Sequence, residues 1–198
     1  MKKVNTEILL ESLLEDTRKI ILEANRWIHI PADVLERKPA DGGWSVAQVV
    51  EHLNIYCRYY IHAIEKKLHF HDTKPSVFFR PGWLGNYFTN LMAPNANQGI
   101  TKKMKAPRNA IPSGKPEAIL MINEFLSHQQ HLINLLQVAR SADIGSLRVP
   151  TSLSKLIALK LGDTFRFFIA HEQRHLIQVK NLLMATTKKE SRLQMQHV

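Results

Sequence analysis

Near its C-terminus the chain reads AHEQRHLIQVKNLL, residues 170–183, and within that run His171 and His175 stand four positions apart. At 3.6 residues per turn, two such imidazoles fall within about 40° of each other on a helix. Neutral imidazole is a good donor to zinc, nickel, iron or manganese, so the pair could fill two positions on a metal ion. It could equally be the polar edge of an ordinary helix, and the spacing alone leaves both readings open. Thr164 and Gln178 lie on the same line, while the apolar stripe of Phe165, Phe168, Leu176, Val179 and Leu183 is centred about 90° away. The histidines therefore belong at the edge of the buried face.

A third imidazole stands far upstream. His52 lies about 120° from the apolar stripe of its own predicted helix, flanked by Val49 and Tyr56. Two helices packed with such polar rims facing each other leave a groove beside the core, open on one side. Three neutral imidazoles would leave a metal its full positive charge and an open position. That ion could lower the pKa of a bound water or thiol and polarise a carbonyl.

The elements that must position these residues are helical throughout. Apolar residues recur at helical spacing, and no segment alternates between turn signals as a hairpin would. A first helix is predicted from Asn5 or Thr6 to about Ile30, before Pro31, followed by a short helical turn in PADVLERK and the loop PADGGW. Ser45 and Gln48 form a capping box that starts the second helix, which ends near His69; Trp44 just before it reads as a hydrophobic staple. A third helix is expected from Lys115, with Pro116 at its first position, to about Arg140. After Gly162-Asp163 a fourth runs to about Ala185. The expected fold is all-α, a four-helix bundle in a single domain over 1–186, with a polar, frayed C-terminal tail over 187–198. Residues 70–114 hold five of the nine prolines and read as a long crossover between helices two and three, with one short helix at Trp83 to Met92.

Composition narrows the function classes. No apolar run reaches the roughly 18–20 residues of a membrane span, and Glu7, Glu11, Glu15 and Asp16 interrupt any leader-like core, so a cytoplasmic location is expected. Cys57, the single cysteine, excludes an internal disulfide and a multi-cysteine zinc site. The net charge of +10 is concentrated in loops and ends: Thr73 to Lys115 carries seven basic residues and no acidic one, including TKKMKAPR at 101–108. Loop placement favours solubility, or attraction of an anionic small molecule, over a nucleic-acid partner.

Two stretches taken together, GGWSVAQVVEHL at 42–53 and HEQRHLIQ at 171–178, resemble the DinB-like superfamily, which includes bacillithiol S-transferases and mycothiol-dependent maleylpyruvate isomerase. The resemblance spans most of the chain. It implies an up-down-down-up bundle, which accounts for the long crossover. It also implies a divalent metal, zinc or nickel, held by one histidine of helix two and two of helix four: His52, His171 and His175 here. The activity it suggests is a thiol-dependent S-transferase using a low-molecular-weight thiol, with a metal-dependent hydrolase or a non-enzymatic metal-binding module as alternatives. Gln178 could orient His175 or reach a metal-bound water. Glu172 is expected at the surface or in packing, His128 in the core of helix three, and Arg174 in solvent or as an anion clamp. Expected partners are a small-molecule substrate and a second copy in a homodimer; no membrane partner is expected.

Overall fold

The computed structural model describes residues 2–95, 104–112 and 114–195. Thr101 to Lys103 of the basic run and residues 196–198 of the tail lie outside the described residues. The chain is mostly helical, with β1 (Val4–Asn5), α1 (Thr6–Trp27), α2 (Ala32–Glu36), α3 (Val46–His69), β2 (Phe78–Phe79), α4 (Trp83–Met92), α5 (Ala118–Val138), β3 (Arg148–Thr151), β4 (Ser154–Lys160) and α6 (Leu161–Met195). Among the described residues, no helix is long and apolar enough to cross a membrane.

Four long helices make the core. α1 and α3 each pack against both α5 and α6, so every long helix has two long neighbours. Trp27 of α1 stacks on Phe125 of α5 with ring centroids 6.5 Å apart, and both are fully buried. Each such side chain contributes about 1.5–3 kcal/mol through burial.

Helix starts follow local chemistry. Asn5 accepts a hydrogen bond from the Ile8 amide at 3.1 Å to open α1. Ser45 and Gln48 close their capping box at 3.2 Å in both directions, and the Gln48 amide also donates to Gly114 O. The turn before it needs Gly42, whose φ of +75° is in the left-handed region. α5 begins at Ala118, three residues later than expected, because its first amide is capped from another element: Ala118 N donates to Glu36 Oε1 at 3.0 Å. Asp163 of α6 likewise caps α4, accepting from Gly82 N at 2.7 Å. A Cβ on Gly85 would lie 2.3 Å from Asp163 Cβ, so glycine is what lets α4 sit this close to α6.

Three expectations need correction. Strands exist: β1 pairs with β2, and β3 with β4, both antiparallel, with a register shift between Pro150 and Thr151. The segment LSKLIALKL hides its strand because the adjacent Leu156 and Ile157 are both exposed while Leu159 and Leu161 are buried, so apolar residues do not alternate with polar ones. The helix carrying the histidine pair also runs on to Met195, so residues 187–195 of the expected frayed tail have helical backbone. His128 is not a core residue; it is half-buried and pairs with Glu124 at 3.2 Å.

Candidate metal centre

α3 and α6 pack side by side, and their polar rims meet. His52, two turns into α3, faces His171 and His175, which sit one turn apart on α6. His171 Nε2 lies 3.3 Å from His52 Nε2 and 3.1 Å from His175 Nε2. One ring nitrogen from each residue falls within 4.8 Å of the others. His52 and His171 are buried; His175 is half-buried.

The other ring nitrogens set the tautomers. His52 Nδ1 is 2.6 Å from Ala110 O, and a carbonyl only accepts, so Nδ1 carries the proton and Nε2 a lone pair. His175 Nδ1 is 2.8 Å from Gln178 Oε1, with the same consequence. His171 Nδ1 is buried and has no partner among the described residues. Burial lowers the pKa of His52; it lowers that of His171 well below the ordinary value, helped by His175 and His52. His175 is pushed down to about 3, first by burial and then by His52. All three rings are thus neutral at pH 7.

Neutral imidazoles aiming lone pairs at a common point are a donor set without an acceptor of their own. Three nitrogens at zinc-like bond lengths on a tetrahedral ion would lie about 3.3 Å apart, close to the 3.1 and 3.3 Å found here. The residues present therefore fit a divalent ion.

A family model describing the DinB superfamily matches residues 13–179. The chain belongs to the DinB superfamily. The match takes in all three histidines, so in this DinB protein the cluster lies within the shared architecture rather than on an appended segment. No curated protein and no solved structure matches the chain.

The centre forms the floor of a cavity of about 510 Å³. Trp44 stands beside His52 with ring centroids 5.0 Å apart, and Tyr56 lies 4.4 Å from His171. Trp44 therefore walls the site from just before the Ser45 cap of α3. Residues 104–107 and Ile111 of the crossover close one side, Met92 of α4 another, and Arg174 and Gln178 of α6 complete the rim. Arg174 is buried, and that burial lowers its pKa.

Sequence reasoning missed Ala110, Tyr56 and Met92 as parts of this DinB site, whereas Lys105 belongs to the basic run expected to attract an anionic small molecule. Tyr56 follows His52 by one helical turn and was findable from spacing. Ala110 contributes a backbone carbonyl, which no residue type announces. Glu172 is not a surface residue. It is fully buried, accepts from Gln129 Nε2 at 2.7 Å and lies 3.5 Å from Cys57 Sγ, facing away from the cavity. Burial pushes its carboxyl up to about 8 and raises the Cys57 thiol well above its ordinary value.

Proposed function

We propose that His52, His171 and His175 hold a divalent metal ion, zinc or nickel, and that the protein is a metal-dependent thiol S-transferase. The observation that carries this reading is the convergence of the three Nε2 atoms at the floor of an aromatic-walled cavity. The same reading takes the four long helices as an up-down-down-up bundle in which the crossover returns the chain to the start of α5.

In that role Ala110 O and Gln178 Oε1 fix the ring tautomers of His52 and His175, keeping their Nε2 lone pairs directed inward. A divalent ion bound there would supply Lewis acidity and hold a ligating thiol as its more nucleophilic thiolate. Trp44 and Tyr56 give the reacting face aromatic walls beside His52 and His171. Arg174 and Lys105 give the cavity a cationic rim, suited to a small thiol bearing carboxylates. In the transfer, the thiol loses its proton to solvent and its sulfur pair forms a C–S bond to the electrophilic carbon. The bond from that carbon to its leaving atom breaks, and the electron pair goes with that atom: a halide departs, whereas an epoxide oxygen stays tethered as an alkoxide and takes a proton from solvent.

Hydrolysis is the rival chemistry for the same centre. Among the described residues lining the cavity there is no carboxylate to serve as a general base, and thiol transfer does not need one. One assay separates the two. Zinc- or nickel-loaded protein is given a carboxylate-bearing low-molecular-weight thiol and an aryl halide or epoxide, and products are read by mass spectrometry. The expected result is a metal-dependent thioether; turnover of an ester or amide without added thiol would support the hydrolase instead.

A further inference from the structure

A second recess opens beside the metal cavity. It has a volume of about 120 Å³ and lies between α4, the β3–β4 hairpin, α3 and α6. Tyr56, Met92, Met104, Lys105 and Pro107 border both spaces. The walls are Tyr60 and Phe167, both buried, with Leu159 of β4, Phe88 and Leu91 of α4, and Leu153 at the hairpin tip. Leu153 is 56% exposed, a large apolar side chain left facing an opening.

The hairpin's polar groups at this recess already have partners, which leaves Tyr56 and Lys105, at the border with the metal cavity, as its other polar side chains. Thr151 Oγ1 bonds Ser154 O, and Thr151 O accepts from Tyr59 Oη. Ser152 N donates to Tyr60 Oη, and Ser152 O accepts from Asn109 Nδ2. At this hairpin end a polar guest would have to break these bonds, whereas an apolar guest only displaces water from Phe, Leu and Met surface. The volume is near that of apolar cavities that admit benzene, roughly 150 Å³.

We infer that this recess is the specificity pocket for the apolar end of the electrophilic substrate, a compact aryl group or an alkyl group of about four carbons. The inference rests on the metal reading, because the three-histidine centre, which would hold the thiol, sets where the electrophilic carbon of the substrate must lie. Met92 and Met104, flexible thioethers at the junction, let the two spaces join around guests of slightly different shape.

The test uses hydroxamates as probes, since the hydroxamate head chelates a divalent ion and the tail can be varied. Dissociation constants for acetohydroxamate through octanohydroxamate, and for benzohydroxamate, are measured by calorimetry on the full chain loaded with zinc and stripped of it. Affinity for the loaded chain is expected to rise about fourfold per methylene over about the first four carbons and then level off. Leu91→Trp and, independently, Leu153→Trp should flatten that series; the second residue is exposed, so its replacement is compatible with folding. Equal affinity along the series on zinc-loaded protein overturns the recess and leaves the metal reading standing. If the chain takes up no zinc, the metal reading falls and this inference falls with it; if the zinc-loaded chain binds none of the series, this inference falls alone.

Discussion

Two buried polar clusters tie α3 to α6, and they are built on consecutive residues. His171 joins His52 and His175 at the floor of an open cavity, whereas Glu172 joins Cys57 of α3 and Gln129 of α5 in the closed core. Both lose charge through burial, in opposite senses: the imidazoles are held neutral by a lowered pKa, the carboxyl by a raised one. Neutral imidazole keeps a lone pair and becomes a ligand. A neutral carboxyl in a dry core becomes a hydrogen-bonding plug. One step of about 100° along α6 thus separates a chemical site from a structural one, and access to the cavity decides which is which.

The largest expected effect separates the clusters by their response to metal. Zinc at about 1,000 times its dissociation constant should stabilise the native chain by about 4 kcal/mol. That gain should vanish in His171→Ala and persist in Glu172→Gln, as read by thermal unfolding with and without zinc. If both variants lose the gain, the two clusters act as one unit and Glu172 is part of the metal centre.

The clusters should also respond oppositely to pH. A buried imidazole with a lowered pKa contributes stability above its unfolded value of 6.5 and loses it as pH falls toward about 3, the folded value for His175. Metal-free protein should therefore weaken across that window in chemical denaturation. Glu172 acts in the other direction: its contribution is complete below 4.5 and is lost as pH rises through about 8. Glu172→Gln should abolish the alkaline loss, gaining on the order of 2 kcal/mol at pH 8. An unchanged slope between pH 5 and 8 in that variant would remove Glu172 as its source.

Smaller changes sharpen the contrast at the cavity. Gln178→Leu leaves all three imidazoles in place but frees the His175 tautomer, so metal affinity should fall about 10- to 100-fold with helicity unchanged. Unaltered affinity would mean that the 2.8 Å contact does not orient the ring.

What the sequence made legible was largely local. The Ser45 capping box, the Asn5 cap and the short helix from Trp83 to Met92 follow from neighbouring residues, and each stands where local chemistry puts it. The three histidines were legible because their types are distinctive and their family pattern is spaced along the chain. The hairpin was not, because Leu156 and Ile157 are exposed neighbours while Val149 and Leu159 are buried, so no alternation marks it. The choice between surface and packing for Glu172 stayed open because a helical wheel assumes one buried face, whereas α6 packs against α1, α3 and α4 together. Caps supplied across the chain, Glu36 to α5 and Asp163 to α4, leave no neighbouring signal at all.

The most direct test is quantitative metal analysis after zinc or nickel loading and exhaustive dialysis, comparing the native chain with His52→Ala, His171→Ala and His175→Ala. Circular dichroism would verify that each variant remains helical. The account predicts about one equivalent of metal per native chain and nearly none in each folded variant. A native chain that retains no metal, or folded variants that retain as much as the native chain, would contradict it.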